Sequence, residues 1–112
     1  MAMPININDL IDCRVVESNR VEFISDWNPT PIIHSICAFA NDIDNVGGGY
    51  IVVGVEGNDG TPVIPVKGIP QERVDGILKE LIGLCHMIEP LYYPVVEPVL
   101  FQGKYIIVIW VS

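Results

Sequence analysis

The chain has 112 residues, half of them hydrophobic, with six Lys and Arg against fourteen Asp and Glu and a formal net charge of -8. That length builds one domain with a real core rather than two, so residues 1–112 are expected to form a single unit. No apolar run reaches the roughly 20 residues of a membrane span, no basic-then-apolar leader opens the chain, and the acidity opposes unaided contact with phosphate backbones.

The first expected element is a short helix near residues 7–13, with Asn8 or Asp9 as its cap. Val21 to Ile24, β-branched and aromatic, reads as a strand that Asp26-Trp27-Asn28-Pro29 interrupts. Thr30-Pro31 then marks a helix start: the Thr hydroxyl can cap free amides, and proline's fixed φ suits the first turn. Ile32, Ile33, Ile36, Phe39 and Ala40 give this helix one apolar face as far as Asn41. Residues 42–49 form a loop in which Gly47, Gly48 and Gly49 permit positive φ.

Tyr50 to Val55 is continuously apolar, as expected of a strand covered on both faces and placed inside a sheet. The Asn58-Asp59-Gly60 turn leads to an expected partner strand at Val63 to Val66, making residues 50–66 a hairpin, irregular at Pro62 and Pro65. Ile69-Pro70 opens the strongest amphipathic pattern, with Val74, Ile77, Leu78, Leu81, Ile82 and Cys85 on one face of a helix ending near His86. Strands at Val95 to Phe101 and Lys104 to Val111, joined at Gln102-Gly103, close the chain. The predicted class is α+β: a central mixed sheet, two main helices packed on it, and a C-terminal hairpin. The absence of a polar tail after Val111 suggests a domain cut from a longer protein.

The glycine loop invites a phosphate-binding reading, but it lies between helix and strand, the reverse of the strand, loop, helix order that aims a helix N-terminus at phosphate. It reads as a turn. Asp42, Asp44 and their neighbours fall short of a calcium loop, since Val46 and Val53 stand where oxygen ligands are needed. His34 and Cys37, one helical turn apart, have no second ligand pair and read as a partly buried His and a core Cys. Cys13, Cys37 and Cys85 are an odd number at wide spacing, which favours free thiols in a reducing compartment; a cytoplasmic location is expected.

Glu17 and Glu22 lie on opposite faces of a straight strand and converge only if the chain bends at Ser18-Asn19. Were Glu56 or Asp59 brought beside them, three acids could hold a divalent cation that activates water for phosphodiester cleavage. Acids on a solvated edge are the plainer reading. The cations offer no basic run: Arg14 and Arg20 lie near the N-terminus, and Lys67, Arg73, Lys79 and Lys104 are scattered.

Three separated motifs carry a family resemblance. Glu17-Ser18-Asn19-Arg20-Val21-Glu22-Phe23, then Ile36-Cys37-Ala38-Phe39-Ala40-Asn41, then Gly48-Gly49-Tyr50-Ile51-Val52-Val53-Gly54-Val55 with the Asp59-Gly60 turn, together resemble the Schlafen AlbA-like domain. The later helix and hairpin come in the expected order. The resemblance implies a DNA-binding role in bacterial transcriptional regulators, usually beside a C-terminal winged-helix segment. An older description of the family is a divergent AAA-type ATPase domain, and the lack of a Walker-type lysine here argues against it.

In eukaryotic Schlafens the same fold supplies a metal-dependent ribonuclease site built from acids. Carried over, this makes Glu17, Glu22 and Glu56 the candidate catalytic residues and Glu17, Glu22 and Asp59 the candidate ligands of Mg or Mn. Arg14 and Arg20 become the candidate contacts to DNA or RNA. Two departures weaken phosphate binding: Ile24 replaces the family's common Lys, and the insert before the glycines adds Asp42 and Asp44. The expected function is therefore a non-catalytic, DNA-binding N-terminal domain of a transcriptional regulator, with no cofactor. A metal-dependent nuclease and a protein-interaction or homodimerisation module are the alternatives.

Overall fold

The computed structural model describes residues 11, 21–41, 48–58, 61–87 and 94–111. The elements run β1 (Val21–Ile24), α1 (Pro29–Asn41), β2 (Gly49–Val53), β3 (Gly57–Asn58), β4 (Thr61–Pro62), α2 (Gln71–Cys85), β5 (Val95–Phe101) and β6 (Lys104–Val111). The main sheet has the order β1-β2-β6-β5, with β1 parallel to β2 and the other neighbours antiparallel. It is a mixed sheet with two helices and a C-terminal hairpin, an α+β fold.

The two continuously apolar runs occupy the middle of this sheet because both their faces are covered. All five residues of β2 are buried, and Ile106 to Ile109 of β6 are buried in succession. Alternation divides them between two cores. Ile51, Val53, Ile107, Ile109 and Val111 meet Ile32 and Ile36 of α1 and Ile77, Leu81 and Cys85 of α2. On the opposite face Tyr50, Val52, Ile106 and Val108 gather with Val55, Val66, Phe101 and Ile11. Each fully buried isoleucine contributes about 1.5–3 kcal/mol relative to exposure.

Helix α1 begins at Pro29, one residue before the expected cap, and the Ile32 amide donates to the Asn28 carbonyl at 3.3 Å. Pro29 and Pro31 both fit the first turn, where amides have no partner within the helix. Of the expected helix at 7–13, Ile11 is helical and buried; the rest lies outside the described residues.

The expected hairpin over 50–66 does not form. Strand β2 ends at Val53, where Gly54 turns the chain with φ +102 and donates to the Ile24 carbonyl at 2.8 Å. Both flanks of β2 are already taken, by β1 and β6, so the following segment pairs with itself: β3 and β4 make a separate two-stranded sheet, and Val63 to Val66 is not a strand. Gly57 of β3 sits against Phe23, whose Cβ would lie 3.0 Å from a Cβ at that glycine. Gly48, at φ +82, makes the turn into β2.

Candidate nucleic-acid interface

The cations that are dispersed in sequence meet at one end of the sheet. Here the ends of β1 and β2, the start of β6 and the segment 66–70 are stitched together by backbone bonds. Gly68 donates to the Gly54 carbonyl at 2.8 Å and Ile69 to the Tyr105 carbonyl at 2.7 Å. Gly68 takes φ +78, a conformation that side-chain-bearing residues resist, and this lets the segment press against Lys104. The Lys104 ammonium donates to the Val66 carbonyl at 2.9 Å.

This end opens into a cleft of about 590 Å³ lined by Lys67, Gly68, Ile69, Pro70, Gln71, Leu100, Gly103, Lys104 and Tyr105. The first turn of α2 forms part of its rim. No side chain caps that turn: Pro70 precedes it at φ -55 and ψ 135, and the Arg73 amide donates back to the Pro70 carbonyl at 2.9 Å. An uncapped helix N-terminus carries partial positive charge and favours anions. Arg73 lies in the same turn and pairs with Asp26 at 3.1 Å.

Asp26 holds this corner together. Its carboxyl stays below the ordinary carboxylate range first because the Trp27 amide donates to it, at 2.8 Å, then through the Arg73 hydrogen bond and the charges of Arg73 and Lys67. Lys67, Arg73 and Lys104 thus share one end of the domain, with Asp26 and Glu72 as acids beside them. Lys79 is elsewhere on α2 and pairs with Asp75 at 3.1 Å. The sequence reading of scattered cations misses this grouping because it is made by folding. The one local signal was Lys67-Gly68 directly before the Ile69-Pro70 helix start.

Two of the predicted acids, Glu22 and Glu56, lie among the described residues. Glu22 is half-buried on the edge strand β1, opposite Ile51. Its neighbours Val21 and Phe23 pack into the core away from the helices, while Ile24 packs into the helix-side core, so alternation directs Glu22 to the helix side. Glu56 is exposed between β2 and β3, and the following Gly57 rests on Phe23, on the other side of the sheet. Glu17 and Asp59, like Arg14 and Arg20, lie outside the described residues. Among the described residues, which include neither Glu17 nor Asp59, no group of three His, Cys, Asp or Glu could hold a metal ion.

No charged or polar side chain is buried among the described residues. His34 is exposed rather than partly buried, Cys37 is half-buried and Cys85 is buried. No described helix is long and apolar enough to cross a membrane.

The family described as Schlafen, AlbA_2 matches residues 17–112, nearly the whole chain. The chain belongs to this family. Its fold is similar to a solution NMR structure, the N-terminal domain of the Putative ATP-dependent DNA Helicase RecG-related Protein from Nitrosomonas europaea. The two share 28% identity with a TM-score of 0.68, over 92% of this chain and 70% of that one. No curated protein matches the chain. Membership of the Schlafen, AlbA_2 family agrees with the three sequence motifs, whose described residues lie on or beside β1, α1 and β2, around the sheet's parallel pair.

Proposed function

We propose that this chain is a non-catalytic DNA-contacting domain that acts beside a further domain of a cytoplasmic protein, such as a transcriptional regulator, and that it meets DNA phosphates at the cleft beside α2. The observation that carries the proposal is the grouping of Lys67, Arg73 and Lys104 around an uncapped helix N-terminus. Family membership and the helicase-related name of the similar structure support the choice of DNA as the ligand. Lysines, guanidinium groups and free backbone amides all suit phosphate oxygens, and such contacts position a protein on DNA without reading its sequence.

The chain's net charge of -8 makes binding weak and strongly dependent on ionic strength, so a neighbouring domain supplies the remaining affinity. The test is an NMR titration of the isotopically labelled chain with a short DNA duplex at low salt. Amide shifts concentrated at Lys67, Gly68, Gln71, Glu72 and Lys104 are expected. Shifts confined to another surface, or none at all, would overturn the proposal.

A further inference from the structure

Phosphate contacts account for the lysines of the cleft but not for its apolar part. Leu100 and Tyr105 are cross-strand partners in the β5–β6 hairpin, so their side chains stand on the same face of the sheet. That face is the helix side: Val96, four residues before Leu100, and Ile107, two after Tyr105, both pack with the helices. The core does not extend to cover the hairpin's end. Leu100 is 61% exposed and Tyr105 half-buried, and both line the cleft with Ile69 and Pro70. The Ile69 amide donates to the Tyr105 carbonyl at 2.7 Å, which fixes the Tyr105 backbone in place. In a chain of net charge -8, the cleft is lined by two lysines, Lys67 and Lys104, and by no carboxylate among the described residues.

We infer that this cleft takes an unpaired base of single-stranded DNA, with Tyr105 and Leu100 against the base and Lys67 beside the flanking phosphate. The inference rests on the phosphate-contact reading above and names the form of DNA that the cleft prefers. In a duplex the faces of the bases are covered by stacking, and the surface offers phosphates, sugars and groove edges, from which an exposed Leu and a Tyr ring gain little. An unpaired base presents its π face, and aromatic side chains stack on that face whatever the base. The cleft's volume of about 590 Å³ lies within the roughly 300–1,000 Å³ of sites that hold small ring-containing ligands. Charge complementarity with the strand and an apolar surface for its bases thus occur in one place.

The test is fluorescence anisotropy at low salt, titrating the chain into a labelled thymidine oligonucleotide of about 12 nucleotides and, separately, into a duplex of equal length. The single strand is expected to bind on the order of tenfold more tightly. Tyr105→Leu, which keeps an apolar side chain and removes the ring, and Leu100→Ser, at an exposed position, should each weaken single-strand binding by about fivefold or more and leave duplex binding unchanged. Tyr105→Phe should retain the parent affinity. Equal affinity for the two forms, or a loss in Leu100→Ser that affects both alike, would overturn the inference and leave the phosphate contact standing. Binding to neither form would overturn both.

Discussion

Replacing Gly68 by alanine tests the construction of the cleft most sharply, because two costs combine at one atom. At φ +78 the backbone is in the left-handed region, which costs a side-chain-bearing residue about 1–2 kcal/mol. The new Cβ would lie 2.8 Å from the Lys104 Cβ and 3.2 Å from its Cδ. A Cβ is fixed to its backbone and cannot swing aside, so either segment 66–70 or the start of β6 must move, at about 1–3 kcal/mol for an overpacked site. Together these predict a loss of roughly 2–5 kcal/mol in urea unfolding, seen as a lower midpoint with little change in slope.

The same substitution at Gly76 should act in the opposite direction. Gly76 is exposed inside α2, and a Cβ there meets nothing within 4 Å. Gly76→Ala is therefore expected to stabilise the domain by about 0.5–1 kcal/mol. A Gly68→Ala variant within about 0.5 kcal/mol of the parent chain would refute the placement of segment 66–70 against β6. So would a destabilising Gly76→Ala refute an exposed, regular α2.

Other expectations come from the core and its edges. Ile51→Ala, emptying a fully buried position between the sheet and the helices, should cost about 2–5 kcal/mol in urea unfolding, and Ile51→Val about 0.5–1.5 kcal/mol. Because the Asp26 carboxyl titrates lower in the folded chain than in the unfolded one, its contribution is present above the ordinary carboxylate range. It is lost as pH falls through the folded value. Asp26→Asn should therefore flatten the acid limb of the stability–pH curve, by a small amount since the side chain is half exposed. With manganese and labelled RNA, no cleavage that depends on Glu22 is expected of a non-catalytic domain; cleavage abolished by Glu22→Ala would contradict that reading.

Sequence conveys burial period well in this chain. The unbroken apolar runs at Tyr50 to Val53 and Ile106 to Ile109 could only be interior strands, and they are. The 3.6-residue spacing of Ile77, Leu81 and Cys85 likewise marks the helix side that meets the sheet. Pairing is less legible. The Asn58-Asp59-Gly60 turn suggests that β2 pairs with the next segment of chain, but its partners are the distant β1 and β6, with Val21 opposite Tyr50 and Ile107 opposite Val53. No local pattern records that choice. The same limit hides the candidate site. Asp26, Lys67, Arg73 and Lys104 each look like an isolated surface charge, and only the crossing of segment 66–70 over the start of β6 gathers them. Of the acids, alternation along β1 directs Glu22 to the helix side of the sheet, and Glu56 is exposed just before Gly57, which rests on Phe23.

The central claim is that the cleft beside α2 meets DNA phosphates, and the salt dependence of binding tests it most directly. Fluorescence anisotropy with a labelled duplex, measured over a series of salt concentrations, should show affinity falling with a log–log slope of about -0.9 for each phosphate contact. Lys67→Ala should weaken binding and make the slope shallower by about 1, whereas Lys79→Ala, on a lysine that does not line the cleft, should leave it unchanged. Binding that does not respond to salt, or that responds equally to the two substitutions, would contradict the account.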